Sequence, residues 1–163
     1  SRMPANSTSA IEKPSAEPWR IGSATVRRIA LNHPGSAQGF RIDDASGASV
    51  AYLTDNELVR GAAGKAALDD LARFAANTGL LIHDSQYLDS DMPDKYGWGH
   101  SVIDDVVTLG ARAEARGVVL FHHDPNRTDD DLDAIKVRAA ALLAEQAPEA
   151  ELCVAIEGQS IEL

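Results

Sequence analysis

The sequence predicts an α/β domain, and three observations carry the prediction. Residues 19–54 read as successive strands separated by turn residues. Two later apolar runs, Leu80-Leu81-Ile82 and Val118-Val119-Leu120-Phe121, are short and unbroken, the signature of strands buried on both faces. Segments with helical spacing alternate with those runs, and strands followed by alternating helix and strand make a sheet covered by helices. At 163 residues, 44% hydrophobic and 25% charged, the chain is large enough for one core. That composition excludes collagen-like and wholly disordered chains. No apolar run approaches the roughly 20 residues of a membrane span, and the N-terminus lacks the charged-then-apolar layout of a signal peptide. The expectation is a cytoplasmic protein with no membrane partner. A net charge of −10 argues against a bulk nucleic-acid binder, which would carry a basic field. Arg20, Arg27 and Arg28 form only a small basic cluster, as on a solvated strand face.

Residues 1–18 hold three of the seven prolines among Ser and Thr and read as a linker or extended arm, leaving 19–163 as the domain. Trp19-Arg20-Ile21 and Thr25–Leu31 are strands broken by Gly22-Ser23. Phe40–Ile42 and Ser49–Leu53 follow, joined across Asp43–Ala48. Between Gly64 and Ala76, Leu68, Leu71, Ala72 and Ala75 recur at helical intervals. Residues 84–100 form a polar loop. Ser101 is positioned to cap a helix running to Arg116, with Val102, Val106, Leu109 and Ala113 as its apolar stripe. Thr128 starts another, with Asp129, Asp130 and Asp131 in the first turn where the macrodipole favours negative charge, and Pro148 stops it after Gln146. Glu151–Ile156 and Ser160–Leu163 read as two terminal strands. Cys153, the only cysteine, falls in the first of them and is expected to be buried and inert; a disulfide or thiolate cluster within the chain is excluded.

The histidines carry the functional signal. His33 follows the run Ile29–Leu31, Asp55 follows Ser49–Leu53, His83-Asp84 follows Leu80–Ile82, and His122-His123 closes Val118–Phe121. His100 stands just before a helix. A single His or Asp at a strand end is commonly a cap or turn residue. Five histidines at such junctions, with none inside the amphipathic helices, point to a shared rim, because α/β sheets gather ligands at strand ends. Imidazole and carboxylate are the usual protein ligands for Zn, Mn and Fe. The chain has no local HxH or HExxH spacing.

Six segments in order sharpen this: Leu31-Asn32-His33-Pro34-Gly35, Gly39-Phe40-Arg41-Ile42, Tyr52-Leu53-Thr54-Asp55, Leu81-Ile82-His83-Asp84-Ser85-Gln86-Tyr87, Gly97-Trp98-Gly99-His100-Ser101 and Leu120-Phe121-His122-His123-Asp124-Pro125. Over residues 19–135 the chain resembles the C-terminal half of metallo-β-lactamase-fold hydrolases. It is most similar to the phosphodiesterase branch containing ribonuclease Z and the phosphoribosyl cyclic phosphodiesterases. The resemblance implies an α/β fold that is the C-terminal βα half of an αββα sandwich, and a metal-dependent hydrolase of phosphodiester-type substrates using two divalent metal ions, Zn or Mn. It implies that His33 and His122 each ligate a metal, that Asp55 bridges the two, and that His100 protonates the leaving oxygen with Asp84 orienting it. An alkoxide needs that proton, and an imidazole paired with a carboxylate suits its delivery near neutral pH. Trp98, Ser101 and His123 fall near the pocket as substrate-binding candidates, with supporting or packing roles weighted above catalysis, and His83 is read as structural.

The family's upstream motif HxHxDH, which supplies most of the ligands, is absent, so the dinuclear site is incomplete in this chain. The resemblance therefore implies one piece of a larger enzyme acting on a small phosphate ester. It would be a single sheet with helices on one face and an apolar face covered by the missing N-terminal half, a partner chain or a second copy in a homodimer. The competing reading is a non-catalytic binding or assembly module that keeps the fold without a working metal site.

Overall fold

Among the described residues, seven strands join in strict sequence order to form one sheet. The structure is a computed structural model that describes residues 17–163. The N-terminal four strands, β1 (Trp19–Ile21), β2 (Ala24–Leu31), β3 (Ala37–Asp43) and β4 (Ser49–Leu53), make an antiparallel meander. From β4 onward the pairing turns parallel through β5 (Leu80–Asp84), β6 (Gly117–Phe121) and β7 (Glu151–Val154). The crossovers that parallel pairing requires are α1 (Ala62–Phe74), α2 (Ile103–Arg112) and α3 (Asp129–Gln146). Of the predicted arm at 1–18, residues 1–16 lie outside the described residues.

The register separates two faces. Ala51, Leu81, Val118 and Leu152 are cross-strand partners, as are Leu53, His83, Leu120 and Val154. Most of these join Ile29, Leu31, Leu71, Val106, Leu109, Ile135 and Leu143 in one buried cluster between the sheet and the helices. Gly39 lies in the same layer for want of room: a Cβ there would stand 2.5 Å from Leu53 Cδ2. The opposite face is also apolar, and its large side chains remain open to solvent. Trp19, Ile21, Ile42, Tyr52 and Phe121 are 36–64% exposed, with Trp19 set edge-on to Phe40 and Tyr52 against Phe121.

Four local expectations differ from the structure. Ser101 does not cap α2; the N-cap is Val102, in extended conformation and without a side-chain bond, because the Ser101 hydroxyl is engaged elsewhere. That helix ends at Arg112 rather than Arg116. The predicted strand Ser160–Leu163 makes no ladder: residues 159–162 line a cavity with Gly117, Val119 and Cys153 on the open face of the sheet. Cys153, the partner of Val119, is only half-buried there, within 3.7 Å of the Gln159 side chain. By contrast Thr128 caps α3 as expected, its Oγ1 accepting from the Asp131 N–H at 3.2 Å while Asp131 Oδ2 accepts from the Thr128 N–H at 2.8 Å.

Candidate metal centre

The C-terminal ends of the parallel strands supply the site. Asp55 stands two residues beyond β4, Asp84 closes β5, and His122 is the first residue after β6. Both Asp55 and His122 have a left-handed backbone, φ 57° in each. Non-glycine residues seldom adopt it, and here it turns each chain sharply off its strand. His100 arrives from the loop before α2. One donor atom from each of Asp55, Asp84, His100 and His122 lies within 4.8 Å of the others.

These four side chains are not equivalent. Asp84 is fully buried, and both its oxygens are taken: Oδ2 accepts from His100 Nδ1, and Oδ1 from the Ser101 N–H at 3.2 Å and the Gln86 N–H at 3.4 Å. With Nδ1 committed to Asp84, Nε2 is the His100 nitrogen left for other partners. Asp55 and His122 keep an open aspect, 43% and 39% exposed, with Asp55 Oδ1 3.3 Å from His122 Nε2. The His100 and His122 rings stack with centroids 4.8 Å apart, and His33 and Tyr87 meet His100 edge-on at 5.5 and 6.0 Å. The surroundings are acidic. Burial, together with Asp124, Asp84, Glu57 and Asp91, pushes the Tyr87 hydroxyl above its ordinary pKa.

His33 reaches the rim and stands outside the four-donor group. Its Nδ1 accepts from the Gly35 N–H at 3.2 Å, and its ring meets His100 edge-on. Ser101 is corrected as a substrate contact: it is 1% exposed, its Oγ donating to the Asn56 carbonyl at 2.6 Å and accepting from the Leu58 N–H at 3.0 Å. His123 Nε2 donates to the Ala155 carbonyl at 3.2 Å, bracing the segment after β7. Trp98 is 57% exposed, with Lys95 Nζ 4.1 Å from its ring centroid.

Beneath the rim runs a buried polar chain that sequence reasoning missed. The Asn32 N–H donates to Asn56 Oδ1 (2.9 Å), Asn56 Nδ2 donates to His83 Nε2 (3.1 Å), and His83 Nδ1 donates to the Asp84 carbonyl (2.6 Å). It ties the residues beside His33, Asp55 and Asp84 into one unit, and each bond fixes the His83 tautomer. Burial holds the His83 pKa below its ordinary value, so the folded protein keeps this ring neutral where the unfolded chain would protonate it. The unfolded state then binds more protons below the unfolded pKa of about 6.5, and stability falls as pH drops through that range towards the folded value. Unfolding free energies from urea titration are expected to decline as pH falls below about 6.5, by up to about 1.4 kcal/mol per pH unit from this ring, and His83→Gln should flatten the decline. An unchanged slope would show that His83 is protonated in the fold. Glu57 is the second missed residue; nothing in the run Asp55-Asn56-Glu57 separates it from ordinary loop polarity.

No family model matches the chain. Ribonuclease Z of Pyrococcus furiosus is 31% identical over 80 residues, which make up 48% of this chain and 22% of that protein. Among solved structures, the metallo-β-lactamase fold protein YhfI from Bacillus subtilis superposes with a TM-score of 0.70 at 20% identity, covering 90% of this chain and 52% of its own. The short form of human tRNase Z gives 0.61 at 18% identity, over 88% of this chain and 45% of that one. CmlA, a diiron β-hydroxylase from Streptomyces venezuelae, gives 0.58 at 12%, over 84% and 31%. At such identities the structural likeness is one of fold. The chain spans about a fifth of the curated relative's length and between a third and a half of these structures.

Proposed function

Since this chain has the metallo-β-lactamase fold over about half the length of the structures it resembles, we propose that it is the sheet-and-helix layer of a metal-dependent hydrolase acting on phosphodiester-type substrates. The convergence of Asp55, Asp84, His100 and His122 within 4.8 Å at the ends of parallel strands carries the reading. The donor chemistry fits a divalent cation: mixed imidazole and carboxylate suits Zn, Mn or Fe. Asp55 and His122, open and adjacent, would hold it, while Asp84 is consumed by its own hydrogen bonds. Two cations need more ligands than these, so a second layer, supplied by an upstream segment or a partner chain, completes the site. When bound, such cations polarise the phosphoryl oxygens and activate water.

The chain's own residues divide the remaining work. Asp84 holds the His100 ring through Nδ1 and sets which nitrogen faces outward. In its protonated form, His100 delivers a proton from Nε2 to the leaving oxygen. Trp98, beside the mouth, offers an apolar wall to the ester's organic part. Bound cations would offset the carboxylates gathered around Tyr87 and favour an anionic substrate.

Metal content and hydrolysis of bis(p-nitrophenyl) phosphate test the proposal, first on this chain and then on the chain joined behind a segment carrying HxHxDH. The chain alone is expected to bind about one cation weakly and to hydrolyse nothing; the longer form should gain about two cations and activity. A longer form that binds metal without hydrolysing any phosphate ester would favour the assembly-module reading.

A further inference from the structure

We infer that Glu57 is a positioning residue for His100, gripping the loop that carries it; the inference rests on the proposed role of His100 as proton donor. The residues ahead of His100 have little side-chain anchorage. Gly97 and Gly99 both lie in the left-handed region, φ 82° and 89°, and Trp98 between them is exposed. Backbone donors in such a loop need partners. Glu57 supplies them: the Gly97 N–H donates to its carboxylate, 3.0 Å from each oxygen, and the Gly99 N–H donates to Oε2 at 2.9 Å. Hydrogen bonds to a charged acceptor are roughly twice as strong as neutral ones.

The grip has a fixed base. The Glu57 N–H donates to the Asn32 carbonyl at 2.8 Å, and the Glu57 carbonyl accepts from Asn32 Nδ2 at 3.0 Å. Its chain neighbours hold the other side of His100, since the Asn56 carbonyl and the Leu58 N–H both bond the Ser101 hydroxyl. One short segment, residues 56–58, therefore clamps the chain on both sides of the imidazole. Inward movement is blocked as well, because a Cβ on Gly99 would stand 2.3 Å from His33 Cδ2 and 2.6 Å from Pro34 Cδ. Outward movement is what the Glu57 carboxylate prevents. Without it the ring loses its aim, and small misplacements of a reacting group are costly to turnover.

Glu57→Gln keeps the size of the side chain, can still accept from one glycine, and sets its own amide donors against the other. In the isotope-labelled chain, free of metal, amide exchange at Gly97 and Gly99 is expected to quicken about tenfold or more. The His100 Nδ1 proton signal should broaden away while that of His83, buried and held separately, stays sharp. Glu57→Ala should do the same to a greater degree. In the active longer form kcat is expected to fall about tenfold with KM and metal content unchanged. Protected glycine amides and a sharp His100 signal in both variants would overturn the assignment. If instead both signals respond while the wild-type longer form hydrolyses nothing, the hydrolase reading fails and the positioning role of Glu57 stands.

Discussion

Replacing His100 by Ala in the metal-loaded, active form is expected to lower turnover about 100-fold or more while leaving metal content unchanged. The expectation follows from how Asp84 is used. With both oxygens engaged and no exposed surface, this carboxylate fixes through Nδ1 an imidazole that stacks on the His122 ring and lies in the same group as Asp55. Asp84→Asn should reproduce much of the loss, because an amide facing His100 through its NH2 group no longer accepts from Nδ1, and the ring is free to turn. The measurement has two readouts, rate and bound metal. Metal lost together with activity would make His100 a ligand and would return the proton-donor role to another group.

Leu120→Ala is expected to cost about 2–5 kcal/mol of folding stability, read from urea unfolding of the chain. Leu120 is fully buried in β6, flanked by His83 on β5 and Val154 on β7, within the cluster that packs the helices onto the sheet. Its neighbour Phe121 lies on the open face, 36% exposed, and Phe121→Ala should cost distinctly less in the same chain despite the larger side chain. Equal losses would mean that the open face is covered in solution. The comparison bears on the site because β6 delivers His122: the rigidity of its helix-side contacts keeps that imidazole opposite Asp55.

The parallel half of the fold was legible because no polar residue interrupts Leu80–Ile82 or Val118–Phe121, although their two faces differ, Leu81, Val118 and Leu120 on the helix side being fully buried and Phe121 on the other side open. The α3 cap was legible for a similar reason, since Thr128 and Asp131 are three residues apart and bond each other locally. Ser101 misled for the opposite reason. It has the chemistry of a cap, but its partners Asn56 and Leu58 lie more than forty residues away, and local reading has no access to them. Ser160–Leu163 alternates like a strand, yet without a paired neighbour the alternation only tells which side chains touch the sheet. At the site, the strand-end residues Asp55, Asp84 and His122 were found because chemistry and position coincide there. Asn56, which ties Asn32 to His83, and Glu57, which holds Gly97 and Gly99 ahead of His100, were not: nothing about an Asn or Glu in a loop announces bonds over those distances.

The unbroken strand order has a consequence for assembly. Each inner strand finds both ladder partners in its neighbours along the chain, so among the described residues no gap inside the sheet waits for a foreign strand, and the open edges are those of β1 and β7. Another layer can therefore join by laying side chains on Tyr52, Phe121 and their neighbours, without threading or exchange of segments. In the proposed sandwich such a layer would meet this one face to face and leave the order of the seven strands as it is.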